Sequence, residues 1–147
     1  ELADVHCFIF HTRITGVGEA LRDPDPWRSQ ERMHLLAEGW AGGTRIGECL
    51  RDFNRDHAAR LVHTRTGVII VSDGYDTGEP ELLAQALAAL RRRSRRLVWL
   101  NPLLNQPGFS PESRGMQAAL PHIDLLAPGA DLAGLERVLP QVIEALR

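Results

Sequence analysis

Lysine is absent from this chain, cysteine and aromatic residues are scarce, and long apolar runs are missing. Each gap closes off a class of protein. Every apolar stretch falls short of the ~20 residues that a membrane-spanning helix needs, so no membrane span is expected. The first residues read into a strand pattern rather than a signal peptide, as expected of a segment internal to a longer protein. The two cysteines, Cys7 and Cys49, lie in apolar patterns and form no CxxC pair. They read as small buried hydrophobes in a reducing cytoplasm rather than as a disulfide framework. All 17 basic residues are arginine, and against 19 acidic residues they leave a formal charge of −2. That balance gives no reason to expect nucleic acid as a partner. Common catalytic signatures are missing too. Gly16-Val17-Gly18 lacks the third glycine of a dinucleotide loop, and no GxxxxGK[ST], HExxH or GxSxG occurs. His6, His11, His34, His57, His63 and His122 are scattered and read as surface or satisfied core residues.

What is present is an alternation of strand and helix patterns, which predicts one α/β domain over residues 1–147 with a mostly parallel sheet. Val5 to Phe10 reads as a strand, with an antiparallel edge strand returning over Arg13 to Val17. Asp25 suits a helix cap and Pro26 the first helical position. Met33, Leu36, Ala37 and Trp40 then share one helical face. After Gly42-Gly43 a second helix starts near Thr44 to Gly47, with Ile46, Cys49, Leu50 and Phe53 on one stripe. Gly67 to Ser72 is a continuous apolar run, predicted to be a central strand covered on both faces. Pro80 to Arg92 reads as a helix with Leu83, Ala86, Leu87 and Leu90 inward, and Leu97 to Leu100 as a buried strand. Ser110-Pro111 should open a short helix to about Leu120, with Ile123 to Leu126 a last strand. Asp131 should cap a final helix with Leu132, Leu135, Leu139, Val142 and Ile143 inward, kinked or broken at Pro140.

Two loops carry candidate chemistry. Asp73 ends the apolar strand within Val71-Ser72-Asp73-Gly74, and ligands of open parallel sheets bind beyond the carboxyl ends of strands. Its carboxylate is either an oxygen ligand for a hard cation or a cap on its own loop. Thr44, in Gly42-Gly43-Thr44-Arg45-Ile46-Gly47, is either a helix cap or a metal ligand. A helix N-terminus favours anions, so a cation beside Thr44 needs several carboxylates. The run Arg91 to Arg96 reads as a solvated helix end, with a docking patch for an acidic partner as the alternative.

Several phrases in order resemble the CoxE-like subfamily of von Willebrand factor A (VWA) domains. They are Phe10-His11-Thr12-Arg13, Trp40 to Gly47, Ile70-Val71-Ser72-Asp73-Gly74, Trp99-Leu100-Asn101-Pro102-Leu103 and Arg114-Gly115-Met116. The resemblance implies a Rossmann-like three-layer sandwich: a mostly parallel sheet with an antiparallel edge strand and helices on both faces. It also implies a metal-ion-dependent adhesion site built from three loops. Thr44 and Asp73 match the second and third loops, with Gly43 and Gly74 allowing close approach and Arg45 steering an acidic partner. The first loop, Asp-x-Ser-x-Ser, does not occur, and the family's first strand and helix are expected upstream of Glu1. The implied cofactor is Mg²⁺, or Mn²⁺ or Ca²⁺, held weakly or not at all by these residues alone. The implied partners are a protein donating Asp or Glu to the metal and a MoxR-type AAA+ ATPase. Family members are bacterial and cytoplasmic, and act as adaptors or chaperones, as in maturation of carbon monoxide dehydrogenase. That reading makes the chain a binding module and not an enzyme. Two rivals are a metal-free interaction scaffold and an α/β enzyme using Asp73, which would need a histidine such as His63 or His11 beside it.

Overall fold

A computed structural model describes residues 4–39 and 41–147. The elements in order are β1 (Phe8–Phe10), β2 (Ile14–Gly16), α1 (Gly18–Leu21), α2 (Pro26–Leu36), α3 (Ile46–Asp56), α4 (Ala58–Leu61), β3 (Gly67–Val71), α5 (Pro80–Arg93), β4 (Arg96–Asn101), α6 (Arg114–Ala119), β5 (Leu125–Pro128) and α7 (Leu132–Leu146). Strands β3, β4 and β5 form a parallel sheet in that order, and β1 and β2 form an antiparallel hairpin. The α/β class and the Rossmann-like layering expected from the sequence are therefore what the chain forms.

Strand alternation sorts the core into two clusters. Ile70, Leu97 and Trp99 face one side of the sheet, where Ile46 and Leu50 of α3, Leu83 and Leu87 of α5 and Met116 of α6 close over them. Val98, Leu100 and Ala127 face the other side, against Val138 and Val142 of α7. Helix α5 buries the four residues that the helical period placed inward, Leu83, Ala86, Leu87 and Leu90. Helix α3 buries Ile46, Gly47, Cys49 and Leu50. Burial pushes the Cys49 thiol up to about 11, with Asp52 adding to the shift, so it is an inert core residue. The hairpin is tied to α3 by an edge-to-face contact of Phe8 on Phe53, with ring centroids 5.1 Å apart.

The caps follow the sequence. Asp25 accepts from the Trp27 amide and Asp131 from the Gly134 amide. Four expectations need correction. The short helix before β5 starts at Arg114 rather than Ser110, because Ser113 supplies the cap that Ser110 was expected to give. The last strand is Leu125–Pro128, two residues later than expected, since its register is set by pairing with β4. Helix α7 runs unbroken through Pro140, which lies at an exposed position of the helix. The expectation for Trp40 lies outside the described residues.

The fourth correction concerns coverage. Strand β3 is not covered on both faces. It pairs only with β4 among the described residues, and Ile69 and Val71 are 47% and 53% exposed. They lie on the α7 side of the sheet, and there Leu139 and Ile143 of α7 are 51% and 45% exposed instead of inward. Leu132 and Leu135 are exposed as well. A strand edge beside exposed β-branched and leucine side chains is a self-association hazard. Sedimentation at rising concentration is expected to show association. Substituting Ile69→Lys together with Ile143→Lys is expected to suppress it. An unmodified chain that stays monomeric across the whole range would refute this.

Candidate functional site

The loops singled out by the sequence meet at the carboxyl edge of the parallel sheet. Beyond β3 the chain is held by β4. The Ser72 amide continues the ladder by donating to Leu100 O at 3.0 Å. The buried indole of Trp99 donates to Ser72 O at 2.8 Å, and the buried Asn101 amide donates to Asp73 O at 3.2 Å. Asn101 Oδ1 in turn accepts from the Leu103 amide at 2.9 Å. Two successive carbonyls are thus clamped by side chains that are themselves immobilised in the core, so the position of Asp73 is determined by the sheet.

Asp73 Oδ1 accepts from the Tyr75 amide at 3.0 Å, a side-chain turn of the kind aspartate makes in loops. Its Oδ2 takes part in no hydrogen bond among the described residues. Gly74 follows at φ +81°, and a Cβ there would strike the Met116 side chain. Its carbonyl accepts from Ser113 Oγ at 3.1 Å, which joins the loop to the start of α6.

The Thr44 loop is fastened to the same segment. Thr44 O accepts from both the amide and the hydroxyl of Thr77, at 2.9 and 3.0 Å. Gly43 lies close enough to Thr77 that a Cβ would collide with it. The Arg45 amide donates to His11 O at 2.7 Å, which brings in the end of β1. The start of α3 is capped, but not by Thr44. Asp76 Oδ1 accepts from the Ile46 amide at 2.9 Å and from the Gly78 amide at 3.1 Å. A carboxylate at a helix N-terminus satisfies an orphan amide and complements the dipole. Relieved of capping, Thr44 Oγ1 takes part in no hydrogen bond among the described residues.

Thr44 and Asp73 are therefore brought to one edge, on loops bonded to each other, each with a side-chain oxygen that makes no hydrogen bond among the described residues. Gly43 and Gly74 occupy the tight places in those loops. Arg45 is exposed and makes a partly exposed pair with Glu48 at 3.4 Å, a weak interaction that leaves it available to a partner. Sequence reasoning missed Asp76, Thr77, Ser113 and the clamping roles of Trp99 and Asn101. The one local signal for Asp76 was its position two residues before Gly78, where it closes a side-chain turn. Asp76 Oδ2 is buried and has no hydrogen-bond partner among the described residues. The donors at this edge are all oxygen, which suits a hard cation. No group of three or more His, Cys, Asp or Glu side chains able to hold a metal occurs among the described residues.

A parallel α/β sheet with helices on both faces is a Rossmann-like domain, and the loops of Thr44 and Asp73 lie at the edge where ligands of such sheets bind. A family model described as a VWA domain containing CoxE-like protein matches residues 1–135, and the chain belongs to that family. Membership in a VWA domain family points to a protein-interaction module. Comparison with curated proteins and with solved structures yields no match. No helix of the described residues is long and apolar enough to cross a membrane.

Proposed function

We propose that the chain is a metal-assisted protein-binding module in which Thr44 Oγ1 and Asp73 Oδ2 hold a hard divalent cation, Mg²⁺ first and Mn²⁺ or Ca²⁺ after it. The observation that carries this reading is the pair of unbonded oxygens on two loops tied together through Thr77 and Asp76. Two protein donors leave most of the shell to water, so a carboxylate from a partner gains much by entering it. The partner class is a protein presenting Asp or Glu, and within this family a MoxR-type AAA+ ATPase is the first to try. The proposed setting is cytoplasmic, as an adaptor or chaperone in maturing a metalloenzyme such as carbon monoxide dehydrogenase. An enzymatic role for Asp73 has less support: its hydrogen bonds are to the Tyr75 amide and Asn101, not to a histidine. The two cavities described, of about 540 and 490 Å³, are lined by neither Thr44 nor Asp73.

The test is calorimetric titration of the ATPase with and without Mg²⁺. Affinity is expected to fall about tenfold or more when Mg²⁺ is removed or when Asp73 is changed to Ala, a loss of roughly 1.4 kcal/mol or more. The absence of a three-acid cluster among the described residues favours one second reading, an interaction scaffold that works without metal. Equal affinity with and without Mg²⁺, and for Asp73→Ala, would establish that reading in place of the first.

A further inference from the structure

The arginine run is part of a larger feature. The Arg95 amide donates to Thr66 O at 2.8 Å, and Gly67 pairs with Arg96 at the start of the parallel ladder. These contacts bring the turn containing Arg65 beside Arg95 and Arg96 at the amino ends of β3 and β4. Arg92 and Arg93, in the last turn of α5, line a groove of about 490 Å³ with Ala89, Asn54 of α3 and Ala58 of α4. Arg65, Arg92, Arg93, Arg95 and Arg96 are all exposed, and none pairs with a carboxylate among the described residues. Seven other arginines, Arg28, Arg32, Arg45, Arg51, Arg55, Arg91 and Arg147, have acidic partners, while Arg13, Arg22, Arg60, Arg114 and Arg137 have none among the described residues and are scattered along the sequence. In a protein of net charge −2, five unpaired arginines at one end make a basic pole. The helix dipole accounts for cations at the end of α5. It does not account for Arg65, Arg95 and Arg96, which lie outside that helix.

We propose that this pole is a second docking surface, for an acidic segment of a partner protein. Guanidinium groups bind carboxylates through paired hydrogen bonds, and those without a carboxylate partner need break no ion pair to do so. The groove offers a further clue. Asn54 donates to Ala86 O at 2.9 Å, while its Oδ1 is buried without a hydrogen-bond partner among the described residues. A peptide brings amide donors together with its carboxylates, whereas a phosphate surface brings acceptors only. No aromatic residue lines the groove for base stacking, and its non-arginine lining is two alanines and an asparagine, too little apolar surface to enter a bilayer. The pole lies at the opposite end of the strands from Thr44 and Asp73, roughly 20 Å away across the six residues of β4. Two partners can therefore occupy the domain at once.

The test measures fluorescence anisotropy of a labelled poly-glutamate peptide, a single-stranded DNA oligonucleotide and phosphatidylserine vesicles with the 147-residue chain. Arg92→Glu/Arg93→Glu is compared with Arg51→Glu/Arg55→Glu, which makes the same charge change at arginines already paired. Saturable, salt-sensitive binding of poly-glutamate is expected. It should weaken about tenfold or more in the pole variant and no more than about twofold in the control. Circular dichroism checks both folds, and Arg92→Gln/Arg93→Gln replaces the pole variant if the reversal unfolds it. No saturable peptide binding, an equal loss in both variants, or tighter binding of DNA or vesicles than of the peptide would overturn the proposal. Because none of these probes requires Mg²⁺, failure here leaves the reading of Thr44 and Asp73 untouched.

Discussion

Gly47→Ala is expected to destabilise the domain by about 3 kcal/mol, because α3 and α5 touch backbone to backbone at this point. A Cβ on Gly47 would lie 2.8 Å from the Leu83 amide nitrogen and 3.1 Å from its Cα. A flexible side chain could turn aside, but the backbone of a helix can yield only if the helices part. Parting them opens the larger core cluster, since Ile46 and Leu50 flank Gly47 on α3 and Leu83 and Leu87 oppose it on α5. For a chain of this size the loss corresponds to a fall of roughly 6–12 °C in Tm. Urea denaturation should show a lower midpoint with an unchanged slope. Gly18→Ala is the control: a Cβ there meets nothing within 4 Å, and its effect should stay within about 0.5 kcal/mol. If the two substitutions have equal effects, the close approach of α3 and α5 is not what Gly47 serves.

Gly74→Ala is expected to cost about 2–4 kcal/mol through two causes that act together. At φ +81° an L side chain is strained whatever space surrounds it, and the space here is filled by the fully buried Met116. The strained residue also directly follows Asp73, and its carbonyl holds Ser113 Oγ at the start of α6. The substitution should therefore displace the Asp73 loop as well as weaken the fold. The two causes separate in a double-mutant cycle with Met116→Ala. Removing the methionine relieves the collision but leaves the backbone strain, so the combined loss should be smaller than the sum of the single losses. Strict additivity would mean that Met116 does not restrict this position.

Much of the fold was legible because its signals are local. The period of Leu83, Ala86, Leu87 and Leu90 reports one face of a helix whatever that face meets. Asp25 and Asp131 cap helices through amides only two or three residues away. The phrases around Thr44, Asp73 and Asn101 were equally legible, since a resemblance is read from residue order. Capping of α3 was not, because Asp76 reaches the Ile46 amide across 30 residues of sequence. The sequence offered Thr44 as a local cap, and a distant carboxylate took the place. Helix α7 shows the same limit from the apolar side. Its pattern names which residues are hydrophobic, yet Val138 and Val142 are buried while Leu139 and Ile143 are exposed. Only the placement of α7 across β4 and β5, away from the open side of β3, makes that distinction.

By itself the sequence determined the α/β class, the order of its strands and longer helices though not the short α1 and α4, the lack of an apolar run long enough to cross a membrane and the kinship with CoxE-like VWA domains. Each of these depends on residue type and spacing along the chain. The tertiary structure alone decided that Thr44 and Asp73 each keep an oxygen without a hydrogen bond among the described residues. It also decided that, among the described residues, β3 leaves one edge unpaired and one face partly exposed, and that five arginines from two separated segments gather at one pole. These are outcomes of competition between partners far apart in the chain, and which partner wins depends on distances that only the folded sheet sets.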